Sequence, residues 1–427
     1  MKRSWILLVL ALALPLSAAA SLDDARLAAA GIRKLPGKRV TLYTDVSGPE
    51  IDRLPAIFDQ AFPQWCRYFG VKEDKLAKWH VTSSLMKNKS PFITAGLLPE
   101  NHPPFLHGYT QPQGTMFWLF EQPSDFYRRE LFLHEGTHAF MFSVLDASAA
   151  AWYIEGMAEY LGTHEWRDNR LTLGAMPHRR EDVPYWRRIG MIQDAVAQRR
   201  ALRLKSVIEI PWNAFLENRS YAWSWAAVTL LDRHPRYQKR FRQLIDFARE
   251  NDRDFNKRFY QLFQPDWQEL CEEWQLMVTG IEYGYDVPRV AVDFTPGKSL
   301  PRKRAEITVA ADRGWQNSGL RLEAGATYRL TASGRYQVAK TSKVWSCEPG
   351  GISIRYYQGR PLGILLAAVR PDLPAPDSTT ALLHPTVVGL GTTLAPDQTG
   401  TLFLKINDSA GELDDNAGEL NVEVRRE

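Results

Sequence analysis

Apolar residues recur along this chain in two rhythms, and the change falls near residue 288. RVTLYTD at 39–45 alternates as a strand does and leads into a helical stretch at 51–70, and WHVTSSL at 79–85 reads as another strand. After a proline-rich loop at 98–105, HGYTQPQGTMFWLF at 107–120 predicts a hairpin whose second strand, TMFWLF, leads towards the next helix. From 125 to 285 apolar positions return mainly at helical spacing, through 189–199, 221–232, 236–250 and 257–280, punctuated by Pro177, Pro184, Pro211 and Pro235. Residues 286–303 gather Pro288, Pro296, Gly297 and Pro301, and beyond them come short alternating runs separated by glycine turns, among them AEITVAA, GILLAAV, GTLFLKIND and GELNVEV. Strands at that spacing predict a β-sandwich. The fold class read from the pattern is α+β, with helices and a small sheet over 21–287 and an all-β sandwich domain over 288–427.

Residues 1–20 stand apart. Lys2 and Arg3 precede the apolar run WILLVLALALPL and the small residues Ser17 to Ala20, the order of a secretory signal peptide. The run is too short for a stable membrane anchor, and no other run approaches spanning length. An exported chain, periplasmic or secreted, is expected. Without Lys2 and Arg3 the formal charge of +4 falls to +2, and no basic stripe speaks for nucleic acid. Cys66, Cys271 and Cys347 are too few for a disulfide framework and too scattered for a metal cluster; one disulfide with an odd thiol left over is open in an oxidising compartment, and buried packing is the favoured reading for each.

The candidate chemistry lies in LFLHEGTHAFMF at 131–142. At 3.6 residues per turn, His134 and His138 share one side of a helix, and two imidazoles can converge on one metal ion. Glu135, beside them, is placed to take a proton from a water held there. This is the H-E-x-x-H arrangement of zinc metallopeptidases. A third ligand is required. WYIEGMAEY supplies Glu155, seventeen residues after His138, and Glu159 one turn further on can accept the N–H of a ligating imidazole. For the histidine pair the alternative is a buried amphipathic helix whose histidines are satisfied by hydrogen bonds. For Glu155 and Glu159 it is two solvated acids on a surface helix, which sits poorly with neighbours Trp152, Ile154, Met157 and Leu161.

The pair H-E-G-T-H and Y-I-E-G-M-A-E-Y resembles the gluzincin branch of zinc metallopeptidases, and within it the peptidase MA type families of secreted bacterial proteins. The resemblance implies zinc on His134, His138 and Glu155, with Glu135 as general base and Glu159 orienting a histidine from behind. It also implies an oxyanion-stabilising tyrosine. SYAWSWAAVTLL at 220–231 puts Tyr221 in that place, although Trp223 and Ser224 replace the family's lysine and glycine. Related aminopeptidases carry G-x-M-E-N on an edge strand along the cleft. Here G-T-M-F-W at 114–118 has phenylalanine in place of the amine-binding glutamate, which favours cleavage within a chain. Trp186, Arg187 and Arg188 read mainly as closing a domain face, and His164 as a surface or structural histidine rather than a ligand.

WQNSGLRLEAGATYRLTASGR at 315–335, PLGILLAAV at 361–369 and FLKINDSAGELDDNAGELNVEV at 403–424 are similar to the PA-IL-like galactophilic lectin domain, a calcium-dependent sandwich. The resemblance implies calcium on Asp408, Asp415 and Asn416, with Glu412 at a position where the family uses a further oxygen. An acidic turn that binds nothing is the alternative. No counterpart of the family's sugar-contacting segment is visible, so galactose specificity does not follow. Two functions remain open from sequence. One is an exported zinc peptidase acting on a peptide, protein or glycoprotein, with a glycan-binding-like module. The other is a non-catalytic glycan-binding or surface-interaction protein with a peptidase-like domain.

Overall fold

The computed structural model describes residues 24–300, 304–375 and 377–427; the signal-peptide expectation at 1–20 lies outside them. A mixed five-stranded sheet opens the fold. Its strands are β1 (Arg33–Pro36), β2 (Val40–Thr44), β3 (Val81–Met86), β4 (Gly108–Thr110) and β5 (Met116–Phe120), in the order β1-β2-β3-β5-β4. The parallel pairs β2–β3 and β3–β5 lie inside, and antiparallel β1 and β4 form the edges. The expected hairpin at 107–120 is present, but its first strand, β4, takes the edge. β5 is held on both sides, which suits a run as apolar as MFWLF; β4, with Gly108 and Thr110, is the strand left open.

One face of the sheet packs against α1 (Leu54–Tyr68) and α2 (Asp125–Leu145). α2 starts where the Ser124 hydroxyl accepts the Tyr127 N–H at 3.1 Å, and stops where Asp146 turns left-handed at φ 54°. α3 (Ala151–Gly162) lies almost wholly inside, between α2 and α5 (Asn218–Arg233). The α3–α5 approach is close because Gly156 has no side chain: a Cβ there would stand 2.8 Å from the Ser224 carbonyl oxygen. This fixes the α3 face that carries Glu155.

The helical region departs from its expected pattern in several places, and the 236–250 period is only a short helix, Gln238–Gln243, running into a 3-10 turn, Leu244–Phe247. Its long 257–280 period divides into α6 (Asp252–Phe263) and α7 (Trp267–Gly280), joined by a 3-10 turn at Pro265, whose ring cannot continue α6. A hairpin, β6 (His164–Arg167) and β7 (Arg170–Leu173), interrupts it as well. Asp168 and Asn169 both take positive φ there, the tight hairpin turn these residues favour. Between α3 and α5 stands α4 (Arg188–Ala197).

The C-terminal region is strand-rich. One sheet orders Thr386–Val387, Leu365–Pro371, Gly400–Ile406, Gln316–Leu322 and Lys298–Ser299; the other orders Gly391–Leu394, Tyr328–Ser333, Glu419–Arg426 and Arg304–Ala310. Leu322, Leu330, Leu402, Leu404, Val422 and Val424 fill the space between them. Gly400–Ile406 is buried on both faces, because its outer side packs Phe403 with Val292, Phe294, Trp315 and Leu366 against Leu276 of α7. Glu272 of α7 receives a two-pronged hydrogen bond from Arg370 and the Thr380 hydroxyl at 2.7 Å, so a charged pair locks the two regions together.

Candidate metal centre and cleft

α2 and α3 bring three donor atoms to one point. His134 Nε2 and His138 Nε2 are 3.1 Å apart, and Glu155 Oε2 lies 3.2 Å from His138 Nε2 and 3.5 Å from His134 Nε2. Ligands bonded to zinc at about 2.0–2.1 Å and at tetrahedral angles stand roughly 3.3 Å from one another, so this donor set matches one triangular face of such a site. The electrostatics agree. Burial disfavours a charged His134, yet Glu155, Glu159 and Glu135 outweigh it and push the imidazole up to about 9. Burial likewise raises Glu155, and the two histidines overcome that and hold it well below the usual carboxylate range. The pocket is built to hold positive charge.

Behind the donors, Glu159 Oε1 approaches His134 Nδ1 at 3.5 Å. Both oxygens of Glu159 accept from Arg188, Nε and Nη2 each at 2.7 Å, and the pair is buried. Glu130, one turn before His134, lies within ligand distance of His134 and Glu159; burial and Glu159 push its carboxyl up to about 8. The sequence reading of Trp186 and Arg188 as a surface stack is corrected here. Trp186 is fully buried, edge-on to Trp225 at 4.9 Å, and Arg188 turns inward; Arg187 alone is at the surface, near Asp194. Ile189, Ile192 and Ala195 mark the buried face of α4, but that periodicity does not say which way the arginine ahead of it turns.

Glu135 points to β4. Thr110 donates its hydroxyl to Glu135 Oε2 at 2.7 Å, and burial raises the carboxyl above its ordinary value against the pull of His134 and His138. A Cβ on residue 108 would lie 2.8 Å from Glu135 Cδ, so glycine leaves the room beside Oε1. The strand flanking the cleft is thus Gly108–Thr110 and not the segment 114–118. Matching G-T-M-F-W to the amine-binding segment is therefore a misplacement; β4 itself, G-Y-T, carries no carboxylate.

Tyr221 stands near the start of α5, its ring 6.1 Å from that of His134 and 5.1 Å from Phe215. Its hydroxyl has no hydrogen-bond partner among the described residues, and burial with Glu155 nearby holds the phenol protonated. Tyr221, His134, Glu135 and β4 line two adjoining cavities, one continuing past Trp212 and Phe142, the other past Phe105, Phe215 and Arg188. The donors thus sit in the floor of a groove open in two directions. His164 is buried rather than at the surface. It bonds the Gly162 carbonyl at 2.8 Å, takes the Arg129 Nε–H at 3.2 Å and stacks on Phe126, which is a structural role. The three cysteines are free thiols; Cys66 and Cys347 are buried as expected, whereas Cys271 is half-buried.

In the sandwich, Asp408, Asp415 and Asn416 come together in part. Asp408 accepts from Ser409 N–H at 2.7 Å and from Asn416 Nδ2 at 2.9 Å, and Asp415 Oδ2 accepts the Lys340 N–H at 2.8 Å. Asp415 Oδ1 and Asn416 Oδ1 are buried with no donor, an arrangement that fits a hard cation. Glu412 turns away to Arg355. The loop does not stand free: the Ser409 hydroxyl bonds Glu282, and the Ala410 carbonyl accepts the Asp286 N–H at 3.4 Å.

No family model matches the chain, and no curated protein does. Among solved structures it is similar to a PllA-like lectin, the EclA N-terminal domain, at 24% identity over 30% of this chain and 100% of that one, with a TM-score of 0.23. It is also similar to the IMPa metallopeptidase from Pseudomonas aeruginosa, at 10% identity over 94% of this chain and 52% of that one, with a TM-score of 0.18. The same metallopeptidase in complex with T-antigen matches at 10% over 91% and 46%, again with a TM-score of 0.18. The chain spans about half the length of these metallopeptidase structures. At such TM-scores the likeness assigns no residue a role. No helix among the described residues is long and apolar enough to cross a membrane.

Proposed function

We propose that this chain is an exported zinc metallopeptidase of the gluzincin type that cleaves within peptide, protein or glycoprotein substrates. Residues 1–20 direct export to the periplasm or beyond, 21–287 form the peptidase domain, and 288–427 form a PA-IL-like sandwich that offers a glycan-binding module and a calcium loop at Asp408, Asp415 and Asn416. The observation that carries the reading is the convergence of His134, His138 and Glu155 within 3.1–3.5 Å beside Glu135. Zinc there supplies Lewis-acid polarisation of a carbonyl and lowers the pKa of water.

The chain's own residues do the rest. Thr110 fixes Glu135 Oε2, leaving Oε1, beside Gly108, to take the proton of the attacking water and return it to the leaving amine. Arg188 holds Glu159 behind His134, which keeps that imidazole in one orientation. Tyr221 donates its free hydroxyl to the oxyanion as it forms. The open edge of β4 pairs with an extended substrate backbone, and without a carboxylate there to hold a free amine the substrate runs on past the site.

The test is digestion of a mixed peptide library by the zinc-loaded chain, read by mass spectrometry against Glu135→Gln. Loss of the general base should lower cleavage about 10²- to 10⁴-fold while one equivalent of zinc is retained. If neither protein cuts any peptide and both hold zinc, general peptide cleavage is ruled out, and a binding protein or a peptidase with a very narrow substrate is what remains, to be separated by glycan screening of residues 288–427.

A further inference from the structure

A further cavity, of about 120 Å³, lies between α7 and the sandwich, far in sequence from the zinc-type cluster. Leu276, Thr279 and Tyr285 close one side; Trp315, Tyr357 and the strand Gly400–Ile406 close the other. The outer face of that strand is apolar at Phe403 and packed against the helical region, yet the next outward residue is Lys405. Its ammonium lies 5.7 Å from the centre of the Trp315 ring. It forms no ion pair or hydrogen bond among the described residues. Arg360 lines the same cavity, also half-buried and also unpaired among the described residues.

Every other charged group at the cavity is accounted for. Both oxygens of Asp408 are engaged by Ser409 and Asn416, and Arg313, exposed at the rim, has Asp312 at 3.8 Å. Burial and the neighbouring Arg360 push Lys405 down to about 8, with Asp408 pulling the other way, so the side chain still carries a charge at neutral pH. Two cations line this space, and Asp408, the one acid among the described lining residues, has both oxygens engaged elsewhere. Half-burying two such cations is costly, and packing alone does not ask for them, since methionine would fill an apolar layer better.

We propose that the cavity between α7 and the sandwich binds a small oxyanion, a carboxylate or phosphate group, held by Arg360 and by Lys405, whose ammonium rests over the face of Trp315. Guanidinium and ammonium donors suit either anion, and the volume admits an oxyanion with a few waters. Gln358 and Arg313, both exposed, mark the entrance.

Titration of the full mature chain with sodium phosphate, acetate and glucuronate, each against sodium chloride at equal ionic strength, tests this by calorimetry and by thermal shift. At least one anion should bind saturably and raise the melting temperature, and the tightest of the three separates the phosphate from the carboxylate source. Lys405→Met should weaken that binding about tenfold or more, as expected for losing a charged hydrogen-bond donor. Arg360→Gln, at a partly exposed position, should weaken it as well and decides the question if Lys405→Met does not fold. The inference is overturned if no anion binds beyond the chloride control, or if the folded variants bind as tightly as the unaltered chain.

Discussion

The two acidic loci of this molecule are built on different supports. At the helical locus, rigid elements aim His134, His138 and Glu155 at one point, and Arg188 occupies both oxygens of Glu159 behind them. At the sandwich locus the candidate ligands share one loop, and the protein's own N–H groups take up most of their oxygens, leaving Asp415 Oδ1 and Asn416 Oδ1. The first arrangement holds its donors in place before any ion arrives. The second can close on itself without one. Donors fixed by packing bind with less rearrangement than donors fixed only by each other.

The comparison breaks most directly at Arg188. Arg188→Met leaves the buried Glu159 without its partner, and such a loss costs about 3–5 kcal/mol of stability. Zinc affinity should fall about 10- to 100-fold as His134 loses its orientation. Chemical denaturation and zinc competition with a chelator read the two effects separately. If both stay unchanged, Glu159 does not organise the centre.

Next in size are changes in the cleft that leave the donors alone. Tyr221→Phe removes one hydroxyl, and cleavage should drop about 10²- to 10³-fold in kcat with little change in KM. Gly108→Ala places a methyl group against Glu135 and should cost about 10²-fold, the usual penalty for displacing a catalytic group by an ångström. Both variants should keep a full equivalent of zinc. A cleavage loss accompanied by zinc loss would make either residue a support of the metal centre rather than part of the reaction.

These positions also separate what the sequence disclosed from what it concealed. His134, His138, Glu155 and Glu159 were legible because helical periodicity turns spacing into direction, and two consecutive helices, α2 and α3, carry all four. The alternating strands of the sandwich were legible for the same reason, with period two: Tyr328–Ser333 buries every second residue. Arg188 was not legible, since nothing local distinguishes an arginine that turns inward to a carboxylate from one stacked at the surface; its partner lies 29 residues away. The edge strand was misassigned although MFWLF is continuously apolar, the mark of a strand held on both sides, and the pairing of β5 with both β3 and β4 places it inside. The docking of Ser409 and Ala410 onto Glu282 and Asp286 was equally hidden, because it joins surfaces about 127 residues apart.

The smallest effect sharpens the other side of the comparison. Calcium sites of extracellular modules commonly bind at about 10⁻⁴–10⁻³ M, so 10 mM calcium would stabilise the folded state by roughly 1.4–2.7 kcal/mol. In a domain of this size that is a rise of about 3–8 °C in melting temperature. Asp415→Asn should remove the rise, because it discharges one of the two donor groups with an unsatisfied oxygen, while leaving zinc content and cleavage untouched. The location of the loop adds a second readout. Ser409 and Ala410 bond residues between α7 and the linker, so calcium that orders the loop should also slow proteolysis of 281–300. A melting temperature that ignores calcium in the unaltered chain would mean that the Lys340, Ser409 and Asn416 donors suffice, and that the loop serves to dock the sandwich onto the helical region.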